Sequence, residues 1–239
     1  MATHTAAESP SVYAPVSADH QGRADCGFTP EYGLVCLAPV RYAVAKRSLD
    51  VLLSALALVC LAPILGLVGL LVRCTSPGPA VFRQTRVGKG GRHFTLYKFR
   101  TMYTGAEASR EAILHLNEVS GPVFKVRNDP RVTPIGRLLR KFSIDELPQF
   151  VNVLRGDMSL VGPRPPLPSE VRLYGPREKR RLAVQQGLTC LWQVHGRHDI
   201  PFDRWVEMDI LYISTMTFWG DMALLLKTIP AVVVARGSY

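Results

Sequence analysis

The sequence predicts a mainly α-helical protein with a small β element, attached to a membrane as a monotopic protein. Three observations lead to this fold class. An uncharged apolar run covers residues 51–72. Several segments after it repeat their apolar residues with the 3.6-residue period of amphipathic helices. Only one stretch, SPGPAVFRQTRVGKGGRHF, alternates like a short strand, with a glycine-rich turn at Gly88–Gly91.

Composition and charge limit the classes of protein that fit. The chain has 239 residues, of which 47% are hydrophobic and 20% are charged, so a folded core is expected and global disorder is excluded. Its formal charge of +10 favours a polyanionic partner, either nucleic acid, a phosphate-bearing substrate or an anionic membrane surface. The five cysteines form no CxxC pair and no metal-ligand spacing, so a reducing compartment is expected.

The first 38 residues are predicted to be a disordered N-terminal tail. They are rich in Ala, Ser, Thr, Pro and Gly, show no sustained apolar period and carry a net charge of −3. A secretory signal needs a basic start followed by an apolar stretch, and neither is present. The remaining 201 residues carry +13. We divide them into a membrane-associated helix, residues 39–75, and a basic domain, residues 76–239.

The apolar run is predicted to be a membrane helix with a re-entrant course. About 20 such residues are enough to cross the hydrocarbon core of a bilayer, and an uncharged run of this length is rare inside soluble domains. Basic residues flank both ends, with Lys46 and Arg47 before the run and Arg73 after it. Because basic flanks favour the cytoplasm, both ends compete for the same side. Pro63 bends the helix near its middle, so a helix hairpin that enters and leaves by one face is favoured over a spanning helix.

Five further helices are predicted in the basic domain. In TPIGRLLRKFSI the residues Ile135, Leu138, Leu139 and Phe142 follow the spacing i, i+3, i+4, i+7, with basic residues between them. That pattern is typical of an amphipathic helix that packs on a core or on lipid headgroups at the membrane interface. The other helices are expected over residues 103–118, in PREKRRLAVQQG up to Gly187, and over residues 203–217 and 221–235.

Two adjacent acids, Asp145 and Glu146, stand out in this basic domain. They lie in RKFSIDELPQF, just after the amphipathic helix. Ser143 and Glu146 fit the capping box S-x-x-E, and Pro148 fits the first turn of a new helix, so a structural role explains the pair. The same position would keep Asp145 ionised as a nucleophile, or hold a divalent cation beside it. Spacing alone leaves these alternatives open.

Arginines with restricted surroundings follow the acidic pair. Arg164 lies between Pro163 and Pro165, and Arg197 ends the motif GLTCLWQVHGR. Arginine binds phosphate oxygens in a bidentate geometry, and the two prolines limit the backbone positions open to Arg164. Ordinary solvent-exposed arginines are the alternative for each one singly.

Five motifs occur in an order that resembles one known family. They are KRSLD, SPGPAVFRQTRVG, FTLYKFRTM, DPRVTPIGRLLRKFSIDELPQFVNVLRGDMSLVGPRP and GLTCLWQVHGR. Together they resemble the bacterial sugar transferases, the monotopic phosphoglycosyl transferases that start lipid-linked glycan assembly. The resemblance implies transfer of a sugar-1-phosphate from a UDP-sugar to polyprenyl (undecaprenyl) phosphate, with release of UMP, in the first membrane step of exopolysaccharide synthesis. It also implies a re-entrant helix in membrane lipid, with residues 76–239 as a catalytic domain on the cytoplasmic face of the inner membrane.

The resemblance also implies roles for single residues. Asp145 is expected to be the nucleophile that forms an aspartyl-phosphosugar intermediate, which the polyprenyl phosphate then attacks, so ping-pong kinetics are expected. Glu146, together with Asp145, is expected to bind the cofactor Mg²⁺. The expected phosphate- and nucleotide-binding residues are Lys98, Arg100, Arg140, Arg164, Gln193 and Arg197.

The chain departs from the pattern of the family at three positions. Ala62 precedes Pro63 where the family often has Ser, Cys190 stands where it usually has Gly in G-x-T-G, and His195 replaces a common Ser or Asn. The last two positions bear on which sugar or nucleotide is preferred. The C-terminal motifs resemble exopolysaccharide initiators, which suggests glucose or galactose, and a homodimer is left open.

Other functions explain fewer of these features. A nucleic-acid-binding protein would share the basic charge, but it does not explain the apolar run, and no zinc-finger, RRM or basic-zipper pattern is present, so we expect no nucleic acid partner. A non-catalytic membrane scaffold would use the acidic pair only as a helix cap. A lipid-diphosphate hydrolase would release inorganic phosphate without needing a nucleotide sugar.

Overall fold

A computed structural model of the chain describes residues 25–29, 33–37, 39–119, 121–195 and 200–233. Helices predominate over strands, as predicted. The α-helices are α1 (Val40–Thr75), α2 (Pro134–Lys141), α3 (Phe150–Arg155), α4 (Pro168–Val171), α5 (Pro176–Lys179), α6 (Leu191–His195), α7 (Phe202–Thr215) and α8 (Phe218–Val233). The strands are β1 (Asp25–Thr29), β2 (Gly33–Leu37), β3 (Val81–Val87), β4 (His93–Phe99), β5 (Ser159–Val161) and β6 (Gly187–Thr189). Short 3-10 segments cover Lys89–Gly91, Ala108–Leu116, Ile144–Gln149 and Arg180–Ala183.

Helix α1 is the longest element and contains the predicted apolar run. Its 36 residues make it about 54 Å long at 1.5 Å per residue. It is long and apolar enough to cross a membrane. Helix α1 continues through Pro63. The helix hairpin that the sequence predicts therefore has no break in the helix at that residue.

Both ends of α1 contact the rest of the protein more extensively than its middle does. Near the N-terminal end a carboxylate oxygen of Asp50 accepts a hydrogen bond of 2.9 Å from the backbone N–H of Leu160. Near the other end Val72 is buried in a cluster with Phe99. None of the side chains of residues 55–67, between these two contacts, is buried. The helix is therefore attached at two places, and it exposes an apolar surface between them.

Strands β3 and β4 form the predicted β element. They pair antiparallel in a register that runs from Val81 opposite Phe99 to Val87 opposite His93. The predicted glycine-rich turn joins them, and Gly90 has a φ of +63°, a backbone conformation that glycine adopts without strain. The hairpin places β4 next to the 3-10 segment Ile144–Gln149, which carries the acidic pair.

The main core lies between the second half of the chain and one end of α1. Strands β5 and β6 pair in parallel. Around them a cluster of buried side chains includes Val153, Met158, Tyr212 and Leu224. Helices α7 and α8 supply the last two of these residues, so the predicted C-terminal helices over 203–217 and 221–235 are confirmed with slightly shifted ends.

The amphipathic helix predicted in TPIGRLLRKFSI is confirmed as α2, but its apolar residues divide between two environments. Leu139 is buried, while Leu138 is 50% exposed and Phe142 is 36% exposed. Only part of the predicted apolar face therefore packs on the core. The other part is open to the surroundings of the protein.

Three predicted segments differ from the structure. The stretch 103–118, expected to be a helix, contains the 3-10 segment Ala108–Leu116, none of whose residues is buried, so it lacks the packing that stabilises most α-helices. The helix expected to end at Gly187 is divided into α5 and the 3-10 segment Arg180–Ala183, and Gly187 instead begins β6. In the segment predicted to be a disordered tail, β1 and β2 form an antiparallel hairpin. The rest of that segment lies outside the described residues.

Candidate active site

Asp145 is positioned by a sharp change of direction after α2. The side chain of Thr133 accepts a hydrogen bond of 3.0 Å from the backbone N–H of Gly136 and caps the start of this helix. After the helix ends, Ser143 has a φ of +55°, and it is the one residue other than glycine with positive φ in the described part of the chain. Such a conformation costs about 1 kcal/mol for a residue with a Cβ atom, and it often occurs at functional sites. It turns the chain into the 3-10 segment Ile144–Gln149.

The capping box that the sequence predicts is wrong. The side chain of Ser143 makes no capping hydrogen bond. A capping residue usually has an extended backbone, whereas Ser143 is left-handed. Pro148 lies inside the 3-10 segment and not in the first turn of α3. The structural explanation of the acidic pair therefore loses its main support.

The carboxyl group of Asp145 is buried among cationic side chains. Only 8% of the residue is exposed. Burial and the neighbouring Glu146 raise the pKa of Asp145 to about 6, while Lys98, Arg140 and Arg164 act in the opposite direction. The group is mostly ionised at neutral pH although it lies inside the protein. A carboxylate in this condition is suited to act as a nucleophile.

Glu146 and Arg164 form an ion pair beside Asp145. An oxygen of Glu146 lies 2.7 Å from Nη2 of Arg164. The negative charge of Glu146 is the largest cause that raises the pKa of Arg164, so the guanidinium stays protonated. The pair brings together two residues that are 18 positions apart in the sequence, and it holds a cation next to the predicted nucleophile.

The loop that carries Arg164 is fixed by hydrogen bonds to the carbonyl groups of its prolines. The donors are the backbone N–H of Gly187 to Pro163 (2.8 Å), the guanidinium of Arg86 to Pro165 (2.9 Å) and the backbone N–H of Val87 to Pro166 (3.0 Å). A Cβ atom on Gly187 would overlap the backbone of Gly162, and one on Gly162 would overlap the carbonyl oxygen of Gln185. Arg164 is thus held in place from both sides.

Further cations complete one wall of the site. Burial, together with Arg86 and Arg140, lowers the pKa of Lys98 to about 8. Burial and Arg164 lower the pKa of Arg86 to about 10. The Nε atom of Arg140 donates a hydrogen bond of 2.9 Å to Oγ1 of Thr101. Because these cations repel each other while they are buried, a bound polyanion would stabilise them.

A cavity of about 350 Å³ joins these groups. It is lined by six of the expected catalytic and binding residues, namely Lys98, Arg140, Asp145, Glu146, Arg164 and Gln193. Its volume lies within the usual range of ligand-binding pockets. The structure therefore brings together residues from β4, α2, the 3-10 segment Ile144–Gln149 and α6. The loop between β5 and α4 that carries Arg164, called the proline loop below, also contributes.

Two predicted binding residues are not placed in the cavity. Arg100 is buried elsewhere, where its Nη2 atom donates to the carbonyl oxygen (2.7 Å) and the hydroxyl (2.9 Å) of Ser76, just after α1. Arg100 does not line the cavity. Its contacts with Ser76 instead fasten the end of α1 to the domain. Arg197 lies outside the described residues.

Sequence reasoning missed several residues that line the cavity. Arg86 is the clearest case. The alternation of β3 could have found it, because Phe82, Gln84 and Arg86 all face the same, less exposed side of the strand. Trp192 and Trp205 also line the cavity. They are brought together from α6 and α7, and no local pattern predicts that contact.

The acidic pair was also predicted to hold Mg²⁺. Carboxylate oxygens are the ligands that Mg²⁺ prefers, and this ion often binds through one or two carboxylates with waters and substrate phosphates as its other ligands. Asp145 and Glu146 fit that limited role. No group of three or more potential metal-ligating side chains occurs among the described residues, so the pair fits an ion whose coordination the substrate completes.

Comparison with known proteins identifies the family. The family model "Bacterial sugar transferase" matches residues 41–235, which include the apolar part of α1 and the whole cavity. The chain belongs to the bacterial sugar transferases. The resemblance inferred from its motifs is confirmed.

Relatives of this sugar transferase include proteins of different lengths. Galactosyl transferase CpsE of Streptococcus agalactiae is 48% identical over 162 residues, which are 67% of this chain and 36% of CpsE. Exopolysaccharide production protein ExoY of Rhizobium meliloti is 40% identical over 200 residues, 82% of this chain and 88% of ExoY. A UDP-glucose:undecaprenyl-phosphate glucose-1-phosphate transferase of Caulobacter vibrioides is 42% identical over 204 residues, 81% of this chain and 72% of that protein. The chain thus spans about a third of CpsE and most of ExoY.

Family and structure together also support attachment to a membrane. In the described part of the chain one helix, α1, is long and apolar enough to enter a bilayer, and 11% of its most apolar stretch is buried inside the protein. The predicted membrane association is therefore supported, and the cavity lies in the domain that this helix anchors.

Proposed function

We propose that this sugar transferase moves a sugar-1-phosphate from a UDP-sugar to polyprenyl phosphate, which yields polyprenyl-diphospho-sugar and UMP in exopolysaccharide synthesis. The observation that carries the proposal is the buried carboxylate of Asp145, which lies among the cations Lys98, Arg140 and Arg164 in one cavity. The domain that contains this cavity is attached to an apolar helix long enough to enter a membrane. Two anionic substrates can approach an anionic nucleophile only where such cations neutralise their charge. The name of the relative from Caulobacter vibrioides describes the same reaction for glucose.

In the first step an oxygen of Asp145 attacks the phosphorus atom that bears the sugar. A new P–O bond forms, and the bond from this phosphorus to the bridging oxygen of the diphosphate breaks. The electron pair of the broken bond leaves with UMP, whose growing negative charge is stabilised by nearby cations such as Arg164 and Lys98. The product of this step is an aspartyl-phosphosugar.

In the second step an oxygen of polyprenyl phosphate attacks the same phosphorus atom. The bond to Asp145 breaks, and its electron pair returns to the carboxylate. Because the attacking phosphate is already ionised, no base is needed to remove a proton. The two substrates react one after the other at a single carboxylate, which gives ping-pong kinetics and suits a soluble donor and a lipid acceptor.

Asp145 and Glu146 would hold Mg²⁺ together with the diphosphate of the donor. The ion would supply charge neutralisation at the phosphate oxygens. Arg164 keeps the carboxylate of Glu146 in position through the ion pair of 2.7 Å. Because these two residues provide few ligands, the affinity for the ion is expected to depend on bound nucleotide sugar.

The membrane helix is proposed to be re-entrant, with the catalytic domain on the cytoplasmic face of the inner membrane. Asp50 and Val72, near its two ends, both contact this domain, and no side chain of residues 55–67 between them is buried. A helix that bends at Pro63 can enter the bilayer and return by one face. The polyprenyl phosphate then reaches the cavity from the lipid surface beside the domain.

The experiment that tests this function is isotope exchange without the lipid acceptor. Purified protein in detergent, with Mg²⁺ and either UDP-glucose or UDP-galactose, is expected to exchange labelled UMP into the nucleotide sugar. Addition of polyprenyl phosphate is then expected to yield lipid-linked sugar. A reaction that passes through Asp145 requires both activities to disappear in Asp145→Asn.

A matched control replaces an exposed aspartate away from the cavity. Asp203→Asn makes the same chemical change in the first turn of α7 and is expected to keep both activities. Lipid-dependent transfer without UMP exchange would overturn the two-step mechanism. Release of inorganic phosphate from a lipid diphosphate without a nucleotide would favour the hydrolase, and no reaction of any kind would favour the scaffold.

A further inference from the structure

One end of the cavity contains polar groups that the chemistry at Asp145 does not use. Trp192 and Trp205 stack there, with ring centroids 4.5 Å apart and planes inclined by 7°. Both residues are more than nine-tenths buried. Within the described structure neither indole Nε1 atom has a hydrogen-bond partner. Both Nε1 atoms are enclosed by protein, so the two tryptophans offer ring surface to a ligand, and Gln193, which also lines the cavity, offers polar atoms.

Gln193 lies at the same end and is bound by a buried cysteine. The Sγ atom of Cys190 lies 3.1 Å from Oε1 of Gln193, and Cys190 is only 2% exposed. Burial is the largest cause that raises the pKa of the thiol, so it keeps its proton at neutral pH. The thiol donates and the amide oxygen accepts. The oxygen side of the amide is thereby directed to Cys190, which leaves the Nε2 donors of Gln193 for another partner.

The fold places this end of the cavity next to the reacting groups. Cys190 directly follows β6, which is paired in parallel with β5. Strand β5 leads into the proline loop that carries Arg164, and Cys190 lies near Arg164. A ligand whose phosphate lies at Arg164 would therefore extend its remaining part toward Gln193 and the two tryptophans.

We propose that Cys190 is a positioning residue for the donor nucleotide. Its thiol fixes the amide of Gln193, so that Nε2 binds acceptor oxygens of the UDP-sugar beside the stacked rings of Trp192 and Trp205. Either the hydroxyl groups of the sugar or the carbonyl groups of uracil provide such oxygens. This inference rests on the proposed function, since it assigns one part of the same substrate to one part of the same cavity.

The test compares variants that remove the thiol donor with a variant that keeps a donor. Cys190→Ala is expected to raise the KM for UDP-glucose about 3- to 10-fold, with kcat changed less than twofold, because a neutral hydrogen bond that orients a ligand group has this magnitude. Cys190→Ser retains a donor and is expected to stay near the wild-type KM. An unchanged KM in Cys190→Ala, with transfer intact, would overturn the inference and leave the proposed function standing.

A double-mutant cycle separates positioning from simple packing. Gln193→Met removes the amide, and if Cys190 acts through Gln193, adding Cys190→Ala is expected to raise KM no further. If Cys190 only fills space, the two effects on KM are expected to add, or Cys190→Ala is expected to lower thermal stability without changing KM. Either of these results would contradict the proposal.

Inhibition by UMP identifies the part of the donor that is bound. If the uracil lies at this end, Cys190→Ala weakens UMP inhibition by the same factor as KM; if the sugar lies there, UMP inhibition is unchanged. Should wild-type protein show no turnover, equilibrium binding of UDP-glucose and UMP to the same variants is measured instead. Weaker binding in Cys190→Ala that Cys190→Ser restores would support the inference without the reaction, and no binding by the wild type would overturn both.

Discussion

Asp145 keeps a usable negative charge in a buried position because cations surround it. Burial alone would favour the protonated acid, and the nearby Glu146 adds to this effect. Lys98, Arg140 and Arg164 counteract part of the shift, so that the pKa is about 6. Burial and neighbouring cations also bring the pKa of Lys98 down to about 8. The proposed nucleophile and one of the cations beside it therefore titrate on either side of neutral pH.

A bell-shaped dependence of kcat/KM on pH is expected from these two groups. The pKa of the acid is raised, so the nucleophilic carboxylate is lost as pH falls through about 6, in a step that belongs to the coupled pair Asp145 and Glu146. The pKa of Lys98 is lowered, so its positive charge is lost as pH rises through about 8. Transfer rates measured from pH 5 to pH 10 at limiting UDP-sugar test both limbs.

The variant Lys98→Arg assigns the alkaline limb of this profile. Arginine stays charged over the whole range, so the variant is expected to lose the decrease near pH 8 and to keep the decrease near pH 6. An alkaline limb that persists in the variant would show that another group, or the substrate, titrates there. The acid limb serves as the internal control that Asp145 is unaffected.

Some residues of the site could be predicted from the sequence, and others could not. Asp145 and Glu146 stand out because they are adjacent acids in a basic domain, and Arg164 because prolines enclose it. Arg100 has the same charge and occurs in a matched motif, yet it binds Ser76 at the end of α1. The charge and the motif do not show whether an arginine side chain points into the cavity or toward α1. That direction depends on the packing of the folded protein.

At the scale of elements, α7 is fastened to the domain by a buried ion pair. Nε of Arg181 lies 2.7 Å from Asp209, and their side chains are 4% and 1% exposed. Asp209→Ala would leave the guanidinium of Arg181 buried without its carboxylate, so unfolding free energy is expected to fall by about 3–5 kcal/mol. Denaturant unfolding of the purified protein in detergent measures this change.

Glu207 on the same helix provides the matched control. It pairs with Arg204 at 2.6 Å, but both side chains are well exposed. Glu207→Ala is therefore expected to cause no measurable loss of stability. Equal effects of the two substitutions would mean that the buried pair does not hold α7 in place.

Elements with a strong local pattern were predicted correctly, and elements that depend on a neighbour were not. Helix α2 has both a capping threonine and a helical period, and the hairpin of β3 and β4 has strand alternation and a glycine turn. Residues 103–118 have helical composition, but none of residues 108–116 is buried, and only a 3-10 segment forms there. The pairing of β1 with β2 was missed because their composition resembles that of a disordered tail.

For the whole molecule, the two attachments of α1 decide how the catalytic domain meets the lipid. In a straight helix, residues 50 and 72 would lie about 33 Å apart, which is about the thickness of the hydrocarbon core. The domain nevertheless contacts α1 near both Asp50 and Val72. A cytoplasmic domain can do so if the helix bends back, or if the helix lies flat on the membrane surface.

Labelling of single cysteines distinguishes these arrangements. In a background without other cysteines, the exposed positions Val44→Cys and Cys74 are each tested with a membrane-impermeant maleimide on inverted and right-side-out vesicles. The re-entrant helix predicts that both react in inverted vesicles only, because both ends lie on the cytoplasmic face. Cys60, in the middle of α1, is the matched control and is expected to stay unreactive in either preparation, since lipid surrounds it. Labelling of Val44→Cys and Cys74 from opposite faces would establish a spanning helix, and a reactive Cys60 in inverted vesicles would establish a helix that lies on the surface.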